Sequence, residues 1–102
     1  MTPSFVPEKF ERVMGCTPAD LLSWLPRALP TATLTLDADN ANCTALLPDG
    51  ALQLRWSPLP DAHLALLTIP RLSVWFEYIG LCEDRRYTVQ RRFDLGTQRG
   101  GG

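Results

Sequence analysis

The chain is poor in the side chains from which most active sites are built. It holds one histidine (His63), one lysine (Lys9) and three cysteines (Cys16, Cys43, Cys82). The cysteines are odd in number, widely separated and never in a C-x-x-C pair, which indicates neither a disulfide framework nor a zinc site with paired ligands. They read as buried, reduced thiols of a cytoplasmic protein. No run approaches the ~18 unbroken apolar residues of a membrane span. "MTPSFVPEKFERV" lacks the basic and apolar regions of a signal peptide. G-x-G-x-x-G, G-x-S-x-G, H-E-x-x-H and phosphate loops are all missing, nothing calls for a cofactor, and no internal repeat is visible. Nothing in the sequence proposes an enzyme.

What remains is an ordinary globular composition. With 45% apolar and 21% charged residues, the 102-residue chain can bury one core without staples, which excludes disorder over most of its length. The charge is uneven. Residues 1–84 carry five bases against ten acids, whereas residues 85–102 carry five arginines against Asp94 alone. An acidic body with a basic end is the clearest charge signal present.

The periodicity predicts two short N-terminal helices. In "VPEKFERVMG", Pro7 suits a first turn and Gly15 a stop, with Val6, Phe10, Val13 and Met14 as the apolar side. In "CTPADLLSWLP", Thr17 is the cap, Pro18 the first turn and Asp20 the acid at the positive end, and Pro26 stops or kinks the helix. From residue 31 the period changes to two. "TATLTLDA" alternates, and "NCTALL" and "ALQLRWS" flank the turn "PDG", which predicts a hairpin with Leu52, Leu54 and Trp56 inward. "SPLPD" reads as a loop. "HLALLTIPRLSVWFEYIG" then gives one strand interrupted at Pro70, or two shorter ones. Leu72, Val74, Phe76 and Tyr78 share one face, and Trp75 and Ile79, with Leu67 and Ile69 if register continues, share the other. "CEDRRYTVQRRFDL" fits a helix through Cys82, Val89 and Phe93; Tyr87, Val89, Phe93 and Leu95 also fit strand alternation, interrupted at Arg91, but acids first and arginines late select the helix.

The expected fold is α+β: short N-terminal helices, a four- to five-stranded antiparallel sheet, and a C-terminal helix packed on the sheet. Residues 1–95 form one domain and residues 96–102 a flexible glycine-rich tail. The second sheet face, carrying Trp75, is either a partner surface or covered by the C-terminal helix.

Several constellations invite chemistry and decline it. "DADNAN" has the oxygens of a calcium loop but not its sixth-position glycine or twelfth-position glutamate, so it reads as a turn. Asp61 stands two residues before His63, the arrangement that orients an imidazole base, yet no spacing selects a nucleophile from Ser57, Ser73 or the cysteines. Glu77 among aromatics reads as an outward acid on a strand, paired with an arginine.

The terminal "QRRFDLGTQRGGG" admits three active readings beside a merely solvated end: docking on an acidic protein, gripping a nucleic-acid strand by arginines with Tyr87 and Phe93 stacking, or offering its Gly-Gly end to an adenylating enzyme like a ubiquitin-like carrier. The acidic body opposes nucleic acid. Predicted helices at both ends oppose the β-grasp fold of the carriers. "GCTPADLLSWLPRAL" and "RRFDLGTQRGGG" resemble a small family of uncharacterised bacterial proteins of about this length, in which an aromatic residue often stands at the place of Gly96. The resemblance implies no activity and no site residue. The expectation is a small cytoplasmic interaction or assembly module, self-associating through the apolar sheet face and meeting a protein partner through Arg91, Arg92, Phe93, Arg99 and Trp75, with no membrane contact.

Overall fold

The computed structural model describes residues 5–97. In chain order these form strand β1 (Lys9–Met14), helix α1 (Pro18–Ala28), strands β2 (Thr33–Asp37), β3 (Asn42–Leu47), β4 (Gly50–Leu64) and β5 (Leu67–Ile79), and helix α2 (Glu83–Gly96). The strands make one antiparallel sheet in the order β1-β5-β4-β3-β2, so the fold is α+β.

The first segment corrects the sequence reading. "KFERVM" is not a helix but an edge strand, pairing from Lys9 opposite Glu77 to Met14 opposite Leu72. Phe10, Arg12 and Met14 turn toward the helices, and Lys9, Glu11 and Val13 turn away. An arginine at the middle inward position disguises this alternation. Its guanidinium lies 5.5 Å above the Phe76 ring and 5.8 Å from that of Phe10, and it donates to the Asp94 carboxylate at 2.5 Å. The Phe10 and Phe76 rings stack at 4.6 Å. A cation held by two ring faces and a carboxylate is satisfied at such a position.

Helix α1 begins as read. Thr17 accepts from the Asp20 amide, and the Asp20 carboxylate accepts from the Thr17 amide, closing a capping box. Pro26 does not stop it. The helix continues to Ala28, because Pro26 lies on the exposed side and the Leu29 amide still reaches the Leu25 carbonyl at 2.9 Å.

The "PDG" turn joins β3 to β4 as expected, but "SPLPD" is no loop: β4 runs through it, with a register irregularity between Leu59 and Ala62. The chain then reverses at Ala65, with φ of 55°, and Leu66. Beyond Arg55 and Leu72 neither β3 nor β1 pairs with these two strands, so residues 58–71 project as a two-stranded ribbon. That explains three prolines in strands. Pro58, Pro60 and Pro70 lack an N–H where no third strand would receive it.

The core lies on one side of the sheet. Leu52, Leu54, Leu72, Val74 and Phe76 are fully buried under Leu21, Leu25 and Ala28 of α1 and Val89 and Phe93 of α2. Tyr78 donates to Gln90 at 2.7 Å, and Gln90 donates to Asp94 at 3.0 Å, so a polar chain runs from the sheet through α2 to Arg12. Both helices occupy the same face. Among the described residues, no helix is long and apolar enough to cross a membrane.

Candidate interaction surface

With both helices on one side, the opposite sheet face has no covering element among the described residues. Of the two fates the sequence left open for the Trp75 face, cover by the C-terminal helix is ruled out, because α2 seats Phe93 edge-on against Phe76 at 5.2 Å on the other side. Trp75 is 38% exposed, and Val13, Leu46 and Ile79 are exposed with it. Polar pairs surround them. Lys9 lies 3.9 Å from Glu77, so the partner of that outward acid is a lysine rather than an arginine, and Ser73 donates to the Glu11 carboxylate.

The ribbon continues this face. Strand alternation sets Leu59, Ala62 and Leu64 of β4 against Arg71, Ile69 and Leu67 of β5 on the side of Trp75. The ribbon reaches about 20 Å beyond the sheet, from seven residues of strand rise. Its tip is apolar and open, with Leu64 65%, Leu66 101% and Leu67 61% exposed. Sequence reasoning missed this tip because no glycine, asparagine or proline marks the turn. Ala65 takes the left-handed conformation instead. His63 sits beside it, exposed, with Nδ1 3.5 Å from the Thr68 hydroxyl.

The basic end divides into two sets. Arg85 makes a two-point contact with Asp49, at 2.6 and 3.2 Å, and this contact holds the Asp49 carboxyl below its ordinary pKa. Arg86 donates to the Val6 carbonyl at 2.7 Å and the Leu81 carbonyl at 2.8 Å. These two arginines tie α2 to the body. Arg91 and Arg92 are exposed and make no hydrogen bond or ion pair with the described residues. Arg92 borders a shallow cleft of about 140 Å³ between the end of α1, Leu47 and α2. Phe93 is no surface contact. It is fully buried, because its place on α2 turns it into the core with Val89. Arg99 and the three glycines lie outside the described residues.

Gly96 belongs to the helix rather than to a tail. Its carbonyl accepts from Arg27 Nε at 2.7 Å, and a Cβ there would meet the Ala28 Cα at 2.5 Å. An aromatic ring at this position has no room in the crossing. The thiols also differ from expectation. Cys16 and Cys43 are buried, but Cys82 is exposed as the N-cap residue of α2. Burial raises the pKa of the Cys43 thiol. The "DADNAN" turn is closed by Asp37, whose carboxylate accepts from the Asn40 amide at 3.3 Å and its side chain at 2.8 Å. Among the described residues, no three histidine, cysteine or acidic side chains come together to hold a metal ion. No protein-family model matches the chain, and no curated protein matches its sequence.

Proposed function

We propose that this protein is a small non-enzymatic binding module of the cytoplasm, whose contact surface is the open sheet face continued onto the β4–β5 ribbon. The observation that carries this reading is the ribbon tip. Leu66 buries nothing in the isolated chain and Leu64 and Leu67 leave most of their surface open, and large exposed apolar surface of this kind marks contact sites. Trp75 supplies an aromatic anchor where ribbon meets sheet, the residue type that dominates interface energetics. Arg91 and Arg92 stand on the opposite, helical side and serve a carboxylate-bearing partner as a secondary contact.

The test compares three immobilised forms: the intact protein, Leu66→Asp with Leu67→Ser, and Arg91→Ala with Arg92→Ala. A protein captured from host lysate is purified and rebound to each form in isothermal titration. Stoichiometric rebinding that the leucine variant loses and the arginine variant keeps supports the ribbon reading. Rebinding lost only in the arginine variant moves the site to α2, and rebinding unchanged in both sinks the proposal.

A further inference from the structure

The two edges of the sheet are built differently. Strand β1 is protected by Lys9, Glu11 and Arg12, the last of which is held by Asp94 of α2. Strand β2 has no such device. "TLTLD" contains no proline, no basic residue and no bulge in its pairing with β3, and all but Leu34 of its residues are exposed. An edge strand whose single charge, Asp37, stands at its end, and which has no proline or bulge, presents a free ladder to another strand. On its helix side the core thins out toward this edge, where Leu36 is 49% exposed.

We infer that β2 pairs antiparallel with β2 of a second copy, about a two-fold axis at Thr35, to make one continuous ten-stranded sheet. The strand is self-complementary in that register. Leu34 falls opposite Leu36 of the second copy and Leu36 opposite its Leu34, so the half-exposed leucines meet on the helix side and extend both cores. Thr35 meets its own copy on the open side. Asp37 falls opposite Thr33, whose hydroxyl can donate to it, so the only charge on the strand never faces itself. A one-residue slip would set leucines against threonines and would turn each apolar row toward the open face. The axis stands perpendicular to the sheet, which keeps both helical layers on one side and both ribbons free. The inference therefore stands independently of the ribbon's role. A ladder of about 17 Å with one row of leucines buries less than about 1,200 Å², the range of reversible interfaces, so the dimer is concentration-dependent.

Sedimentation velocity from micromolar to millimolar concentration tests it, with circular dichroism to check the fold of each variant. The wild type is expected to shift from monomer to dimer. Thr35→Lys and Thr35→Glu each place like charges opposite one another across the axis and weaken the dimer about tenfold. An equimolar mixture of the two recovers a heterodimer. Thr33→Lys, set against Asp37 of the second copy, tightens it. Thr33 and Thr35 are exposed, so these changes leave the monomer folded. A wild type monomeric at millimolar concentration overturns the inference. So do Thr35 variants that dimerise like the wild type, or a mixture that fails to pair.

Discussion

Gly96→Ala tests whether the two helices cross as closely as they must for α2 to seat on the core. The added methyl would lie 2.5 Å from the Ala28 Cα and 2.9 Å from its Cβ and amide nitrogen. Carbon atoms pack at about 3.5–4.0 Å, so the helices must part by about 1 Å. Two terms oppose. Alanine is favoured over glycine by ~1 kcal/mol in a helix interior, and by only part of that at a terminal residue. Overpacking costs ~1–3 kcal/mol, and parting the helices also lengthens the bond from Arg27 to the Gly96 carbonyl. The expected net change is a loss of about 1–2 kcal/mol, read in urea as a lower midpoint at unchanged slope. Ala28→Gly in the same chain rescues only part, since it removes the Cβ contact and leaves the Cα in place. A midpoint equal to or above that of the wild type would refute the close crossing.

Three further outcomes follow from the burial of Tyr78 and of two of the three thiols. Burial raises the Tyr78 phenol well above its usual pKa, with the Asp94 charge adding to the effect. Below about pH 10 both folded and unfolded chains keep that proton, and above it only the unfolded chain releases it. Stability then falls as pH rises past about 10, at up to ~1.4 kcal/mol per pH unit, and Tyr78→Phe should flatten this alkaline limb in pH-resolved urea titrations. The same variant should lose ~1–3 kcal/mol at neutral pH, because the Gln90 oxygen loses its donor. Thiol labelling with a chromogenic disulfide should show Cys82 reacting fast in the native protein and Cys16 and Cys43 only on unfolding. Fast reaction of either buried thiol contradicts the packing described above.

The hairpin β3–β4 and the inward row Leu72 to Tyr78 were legible because each follows one undisturbed period, whereas the C-terminal helix, whose apolar residues also fit a strand, was legible from the acids at its start. Strand β1 was not. Its inward Arg12 is stabilised by Phe10, Phe76 and Asp94, the last two more than sixty residues away, and no local pattern announces such partners. The ribbon was misread for a related reason. Pro58 and Pro60 signal a loop only if each N–H is owed to a neighbour, and whether a strand has a neighbour is a property of topology. At the surface, Trp75 was placed on the open face by simple alternation. Phe93 was drawn into a contact set by its arginine neighbours, although its spacing of four from Val89 already placed it inward. The apolar tip at Leu66 escaped because a turn made by an alanine leaves no trace in composition.

The pairing of the first strand with the last also sets an order of events during synthesis. Phe10 finds its place only beside Phe76, and at roughly 5–20 residues per second the ribosome takes on the order of 3–13 s to supply that partner. Through that interval β2, β3 and β4 can assemble from neighbouring segments, whereas β1 has nothing to pair with. Of the five strands described, β1 is made before the others and is thus among the last to settle. Arg12, Glu11 and Lys9 then have a second use, as charges that keep a waiting strand from joining the wrong chain.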